Sequence, residues 1–295
     1  QTTHPNYNQN MERAFIVAAV NGTNIYVNNG TTPVNPIPLN AGQSFVLRSE
    51  NYINQGNQQY NMYIRSTENI YVFQLLAGAS TGNEIATGGY NYIPPLSCYL
   101  PKKIDEIGFV NENEGYKNSV YSLTSPTKLN IITEAGALVT VQKNGANFPL
   151  TAIDGPYPVS GSSNWVTYSI ARSATGATSV SGNITVNSSK AVTAGISAGD
   201  GAVGYGGYFA GFSAIPLITK TSGECLPGVR LEVTEGFGTY LWLLKVGATY
   251  IPAPGVNNLF HYEPPQAGIY AVQVKQGSCA QLQTQDFKFY NCTNY

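Results

Sequence analysis

Residues 14–20 read AFIVAAV, and the dipeptide Asn21-Gly22 that follows them is a strong signal for a tight turn between strands. The next run, Asn24-Ile25-Tyr26-Val27, ends at Asn28-Asn29-Gly30. Each run is short and rich in β-branched or aromatic residues, and apolar spacing typical of a helix is hard to find. Further runs of this kind occupy 44–48, 62–65, 70–73 and 138–141. The sequence therefore predicts an all-β chain.

The composition limits the classes of protein that the chain can represent. Hydrophobic residues make up 42% of the 295 residues, which is enough to build a packed core in each domain. Charged residues make up only 11%, so the polar surface must come from amides and hydroxyls, including those of 21 tyrosines. A formal net charge of −1 gives no electrostatic basis for binding nucleic acid or an anionic membrane. A surface of amides and hydroxyls with little charge is common in extracellular β-proteins, so we expect an extracellular protein. No apolar stretch reaches the ~20 residues of a membrane span.

One order of features occurs twice along the chain. The strand pair at 61–72 leads through a glycine-rich loop to Gly88-Gly89-Tyr90, and an Ile-Pro dipeptide follows. The strand pair at 182–193 leads in the same way to Gly206-Gly207-Tyr208 and a second Ile-Pro. We therefore predict two related β-sandwich modules, 1–118 and 119–218, followed by an immunoglobulin-like β-sandwich at 219–295.

The third domain and the cysteines are interpreted together. Trp242 lies in an apolar strand, and a second strand at 266–274 leads to Cys279, a pattern typical of an immunoglobulin-like sandwich. An even number of cysteines without a C-x-x-C pair favours disulfides in an oxidising compartment, the alternative being buried free thiols. The pairing Cys225–Cys279 is our first choice, although Cys292 competes for Cys225. The four cysteines are Cys98, Cys225, Cys279 and Cys292.

Two parts of the chain resemble known families of surface proteins. Cys225-Leu226-Pro227-Gly228, Tyr240-Leu241-Trp242 and Gly277-Ser278-Cys279 resemble the immunoglobulin-like repeats of secreted Bacteroidetes proteins, including gliding-associated and type IX-secreted adhesins. The first 218 residues resemble the N-terminal domain named for the IgGFc-binding protein, at 64–72 and 89–96 with an echo at 184–217. The resemblance implies an exposed, non-catalytic module of a larger bacterial surface protein, without residues that could be assigned to an Fc site.

Residues suited to catalysis or metal binding are few and scattered. With His4 and His261 as its two histidines, the chain has no basis for a catalytic triad or a histidine-rich metal site. The glycine-dense segment 197–204 lacks the lysine and the helix of a phosphate loop, and no acidic cluster for calcium surrounds Asp200. We therefore predict a protein that is not an enzyme and has no cofactor and no metal. The carboxylates considered as an acid–base pair are Asp105, Glu106, Glu112, Glu114 and Asp154.

Tyrosines are the best candidates for a binding surface, because their rings combine an apolar body with a polar tip. The alternative is that each one packs half-buried as an ordinary strand residue. The predicted partner is a glycan, a host protein or a partner subunit at the cell surface. A structural stalk or filament subunit that self-associates by strand addition is the alternative function. The residues predicted to contact a ligand are Tyr90, Tyr92, Tyr205 and Tyr208.

Overall fold

The computed structural model describes most of the chain and shows an all-β protein. Within the described residues every strand pairing is antiparallel, and one 3-10 turn at Ser49–Asn51 is the single helical element. This confirms the predicted fold class. The chain forms two compact units, 1–212 and 213–295. The described residues are 12–29, 35–57, 59–77, 86–110, 127–171, 177–200, 203–209, 216–235, 237–277 and 279–292.

The first unit contributes eighteen strands among its described residues. Its first ten are β1 (Arg13–Ala18), β2 (Thr23–Val27), β3 (Ile37–Leu39), β4 (Ser44–Leu47), β5 (Ile53–Asn54), β6 (Tyr60–Asn61), β7 (Ile64–Ser66), β8 (Ile70–Ala77), β9 (Ala86–Tyr92) and β10 (Lys103–Val110). The next eight are β11 (Lys128–Glu134), β12 (Val139–Lys143), β13 (Ala146–Phe148), β14 (Tyr157–Val159), β15 (Ser162–Ile170), β16 (Gly182–Ser188), β17 (Val192–Asp200) and β18 (Val203–Phe209).

The first core of this unit lies between the sheets β4-β1-β8-β9 and β3-β2-β7. Strict alternation along β1 and β2 builds it, because every second side chain of a strand points to the same face. Ile16 and Ile25 are fully buried, one from each sheet. The segment that the sequence marks as decisive therefore supplies the centre of a two-sheet sandwich.

The second core lies between the sheets β14-β15-β11-β17-β18 and β10-β16-β12-β13, with Ile131 and Ile184 buried at its centre. The order β15-β11-β17-β18 corresponds to β4-β1-β8-β9, and β13-β12-β16 corresponds to β3-β2-β7. The predicted duplication stays a prediction. The module bounds 1–118 and 119–218 stay a prediction, and β10 of the first predicted module pairs with β16.

The second unit is a smaller sandwich around Trp242. Its sheets are β19-β20-β23 and β22-β21-β24-β25, and β26 also pairs with β24. Trp242 is fully buried, stacks on Tyr262 and donates its indole N–H to the Leu259 carbonyl at 2.9 Å. Its strands are β19 (Thr219–Ser222), β20 (Arg230–Glu232), β21 (Thr239–Val246), β22 (Thr249–Pro252), β23 (His261–Tyr262), β24 (Gly268–Lys275), β25 (Leu282–Gln283) and β26 (Phe287–Phe289).

The disulfide predicted as our first choice is wrong. Cys225 is bonded to Cys292, with 67 residues of sequence separation, and not to Cys279. Next to the disulfide, Asn291 accepts a hydrogen bond from the Leu226 amide at 2.9 Å, so residues 291–292 lie beside residues 225–226. No cysteine is free, and the alternative of a free thiol at Cys98 is therefore wrong as well.

Candidate binding groove

A row of amide side chains joins the β5–β6 hairpin to the β14–β15 hairpin. Residues 55–59 form the turn between β5 and β6, and four amides from this turn and from β6 donate to the β14–β15 segment. The row holds the chain from residue 60 onward beside β15, and this arrangement positions the walls of a groove. Its donors Gln55, Asn57, Gln59 and Asn61 bond to Ser160 Oγ at 3.1 Å, Tyr157 Oη at 2.9 Å, Ser169 O at 3.4 Å and Pro158 O at 2.7 Å, respectively.

The buried member of this row carries the first prediction. Asn61 also donates to Thr167 Oγ1 at 3.1 Å. In Asn61→Asp a buried carboxylate would replace this donor, and the Pro158 carbonyl and Thr167 Oγ1 would both lose their hydrogen bond from residue 61. We expect a loss of about 2–4 kcal/mol in the free energy of unfolding, measured by denaturant titration. Asn69→Asp is the matched control, because Asn69 is exposed and its change is expected to stay within about 0.5 kcal/mol. Equal losses in the two variants would contradict a role for the row.

The groove beside the amide row has a volume of about 340 Å³. Its walls are mostly apolar, and aromatic rings and two prolines line much of it. Apolar walls with a few polar groups are typical of sites that hold a ligand. The rings and prolines in question are Tyr63, Tyr92, Pro94, Pro95, Trp165 and Tyr208.

A smaller inner cavity of about 130 Å³ adjoins the groove and shares Ile64 and Tyr208 with it. Its lining includes Tyr52 and Gln74, behind which lies the fully buried Glu12. The Gln74 amide donates a hydrogen bond to Glu12 Oε1 and a longer one, at 3.5 Å, to the Tyr52 hydroxyl. The inner end of the site is thus a buried polar cluster.

Burial shifts the ionisation of this cluster. Desolvation, with a further contribution from the Glu12 charge, raises the pKa values of Tyr52 and Tyr208 well above the ordinary value of 10.0. Desolvation lowers the pKa of Lys128 from 10.5 to about 8, although the charge of Glu12 acts in the opposite direction. Both tyrosines therefore stay neutral at physiological pH and can act as hydrogen-bond donors.

The lowered pKa of Lys128 predicts an unusual pH dependence. Between about pH 8 and pH 10 the unfolded chain keeps a proton that the folded chain has released, so stability rises with pH. We expect a gain of about 2 kcal/mol across this window, measured by denaturant titration at fixed ionic strength. Above pH 10 the raised pKa values of Tyr52 and Tyr208 reverse the trend, since the unfolded tyrosines ionise first. Lys128→Met should show no rise between pH 8 and pH 10, and an unchanged rise in this variant would refute the assignment.

A polar compartment of about 250 Å³ continues the groove on its other side and shares Tyr63 and Arg65 with it. The Arg65 guanidinium lies over the Tyr26 ring, with its Cζ atom 4.2 Å from the ring centroid. These two residues are direct partners across β2 and β7, so the sheet itself sets the stacking. The remaining lining residues are Asn28, Asn29, Asn35 and Gly161.

The structure brings together two of the four predicted tyrosines. Tyr92 ends β9, and together with Tyr208 of β18 it lines the groove. Tyr90 lies outside it, 61% exposed, with its ring edge-on to Phe15. Tyr205 is half-buried, and its hydroxyl lies 3.2 Å from Thr127 Oγ1. The predicted assignment to a ligand stays a prediction for all four.

The other residues considered for chemistry have structural surroundings of their own. Asp105 forms an ion pair with Lys103, which lowers its pKa, while Asp154 accepts hydrogen bonds from the Thr151 amide and hydroxyl. His261 lies on β23 beside the Phe260 ring. The described part of the chain contains no group of three residues suited to a metal ion. Predictions on His4, Glu112, Glu114, the Asp200 side chain and part of segment 197–204 lie outside what is described.

Sequence reasoning missed Arg65 and Trp165 as groove residues. Arg65 ends the strand run 62–65 and lies in the stretch 64–72 that carries the family resemblance, but neither feature marks it as a binding residue. Trp165 lies outside every sequence feature considered above. The alternating amides at 55–61 were the available signal, because a row of that kind needs polar partners in another segment. No helix among the described residues is long and apolar enough to span a bilayer.

The sequence matches the family described as IgGFc binding protein over residues 2–197, well over half of the chain. The chain therefore belongs to this family, whose domain is of a binding type and not a catalytic one. The comparison confirms the resemblance stated for the N-terminal part. A search of curated proteins finds no match.

Proposed function

We propose that this chain is a non-enzymatic adhesin or display module of a bacterial surface, which holds a glycan or protein ligand in the groove of its first unit. The observation that carries the proposal is the groove itself, with Tyr92, Trp165 and Tyr208 among the rings that line it. Large rigid rings provide contact area at low cost in conformational entropy. Membership of a binding family supports the same interpretation.

Location outside the cell is supported by the disulfide between Cys225 and Cys292 and by the lack of free thiols. Disulfides persist in oxidising compartments and are rare in the cytosol. The second unit, with two sheets around Trp242, is proposed as an immunoglobulin-like domain of the type found in secreted Bacteroidetes adhesins. Such a domain would serve to present or anchor the binding unit.

The test is retention of ligands by the immobilised whole chain, with a panel of glycans, immunoglobulin Fc and extracellular matrix proteins as probes. Tyr92→Ala is expected to weaken the retained ligand at least tenfold, because the ring forms part of the groove wall. Tyr90→Ala is the matched control on the same strand, since Tyr90 lies outside the groove. Equal losses would refute the groove as the site. Concentration-dependent filaments without any retained ligand would favour the stalk subunit instead.

A further inference from the structure

Arg65 occupies the junction of the groove and the polar compartment and belongs to the lining of both. Its guanidinium lies over the Tyr26 ring, with Cζ 4.2 Å from the ring centroid. Within the described residues it makes no hydrogen bond and no ion pair, so its N–H donors face the site without a protein acceptor. An arginine oriented by an aromatic ring loses less conformational freedom when it binds a partner.

The charge of the site has one sign only. Among the described residues that line the two compartments, Arg65 is the single charged side chain. A guanidinium presents paired N–H donors whose geometry matches a carboxylate, and such charge-assisted bonds are stronger than neutral ones. The site is therefore complementary to a ligand with one anionic group.

The remaining walls indicate what carries that anion. On one side of Arg65 stand the rings of Tyr63, Tyr92 and Trp165, whose flat faces can pack against the C–H face of a sugar ring. On the other side stand the amides of Asn28, Asn29 and Asn35. Asn28 and Asn35 already bond through both amide atoms to the backbone of Asn51, Tyr63 and Val27. Of the three, the exposed Asn29 amide is therefore the one that presents donors and an acceptor to a hydroxyl group. An acidic peptide with several carboxylates would find only one cation here.

We propose that the ligand is a saccharide bearing a carboxylate, and that Arg65 is the residue that recognises the carboxylate. The inference rests on the proposed binding function and deepens it by naming the ligand class and a specificity-determining residue. The carboxylate receives paired hydrogen bonds from Arg65, while the sugar ring lies along the aromatic wall. A hydroxyl group on its far side reaches the Asn29 amide.

The experiment compares matched saccharides on the unmodified whole chain. The probes are oligosaccharides ending in a uronic acid or N-acetylneuraminic acid, the methyl esters of the same compounds, and neutral oligosaccharides. We expect the acidic compounds to bind and esterification to weaken binding at least tenfold, with the difference shrinking as salt is raised. Because this comparison needs no protein variant, it does not depend on how a substitution affects folding.

A second comparison assigns the effect to the arginine. Arg65→Gln should bind the acidic saccharide at least tenfold more weakly, the same factor as for esterification, and should bind the acid and its ester equally. This is the behaviour expected when the arginine and the carboxylate interact directly. Arg65→Lys keeps the charge without the paired donors and should fall between the two. Lys103→Gln removes an exposed positive charge on β10 and should leave binding unchanged.

The outcomes separate the inference from the proposed function. Equal binding of acids and esters, or binding of neutral oligosaccharides alone, overturns the inference and leaves the groove as a binding site. Retention of Fc or an acidic peptide with no saccharide also overturns the inference. Absence of any retained ligand, across all probes, overturns both. Loss of the ester effect in Lys103→Gln as well as in Arg65→Gln would remove Arg65 from its assigned role.

Discussion

Replacing Trp242 by alanine is expected to lower the free energy of unfolding of the second unit by about 3–5 kcal/mol, the range for removing a large buried aromatic side chain. The indole is fully buried and stacks on Tyr262, with ring centroids 5.4 Å apart. The substitution leaves a cavity at the centre of the core and deprives the Leu259 carbonyl of its indole donor. A small unit has few other contacts that could compensate.

The measurement is hydrogen exchange by mass spectrometry on peptides from β21 and β24, which pair along their length around Trp242. This readout follows the second unit by itself and needs no two-state assumption for the whole chain. Trp242→Phe is the matched control, because it keeps much of the buried ring and should lose clearly less than the alanine variant. Protection changed by less than about 1 kcal/mol in Trp242→Ala would contradict the assignment of Trp242 to the core.

The second large effect is expected at Gly161, in the turn between β14 and β15. Its φ of +95° is barred to most residues with a side chain, and an added Cβ would lie 2.4 Å from the Asn28 carbonyl oxygen. Because Asn28 and Gly161 both line the polar compartment, the clash cannot be relieved without moving that wall. We expect Gly161→Ala to cost about 2–5 kcal/mol in the first unit, from backbone strain and overpacking together.

Gly145→Ala separates the two contributions. Gly145 also has a positive φ, +78°, but nothing lies within 4 Å of the position of an added Cβ. Its substitution should therefore cost only about 1 kcal/mol, the price of the conformation alone. Denaturant unfolding of both variants gives the comparison. Similar losses at the two positions would show that the approach of Gly161 to Asn28 is not tight.

The strands could be predicted because their signals are local. In the strands that contain Ile16 and Ile25, buried residues alternate with half-buried ones. An Asn-Gly turn separates the two strands. The same reasoning placed Trp242 in a core, because a large apolar ring within an apolar strand has few other places to lie.

The groove was predictable only in part. Tyr208 belongs to the second Gly-Gly-Tyr motif and Tyr92 follows the first by two residues, and both line the groove. The first motif drew equal attention to Tyr90, whose ring packs on Phe15 outside the groove. Tyr90 and Tyr92 lie on the same strand but have different surroundings, because the twist of the sheet and the end of β9 at Tyr92 determine which ring contacts another segment.

The sequence by itself determined the all-β class and the turns, since these depend on residues close together in the chain. Its match over residues 2–197 also showed the family. Only the tertiary structure decided that Cys225 pairs with Cys292, that Gly161 lies against Asn28, and that Arg65 lies over Tyr26 at the junction of two compartments. Period-two alternation specifies which face of a strand is buried, but it carries no information about which distant segment covers that face. Contacts between segments distant in the sequence follow from the order and register of the strands in each sheet, and the groove is formed by such contacts.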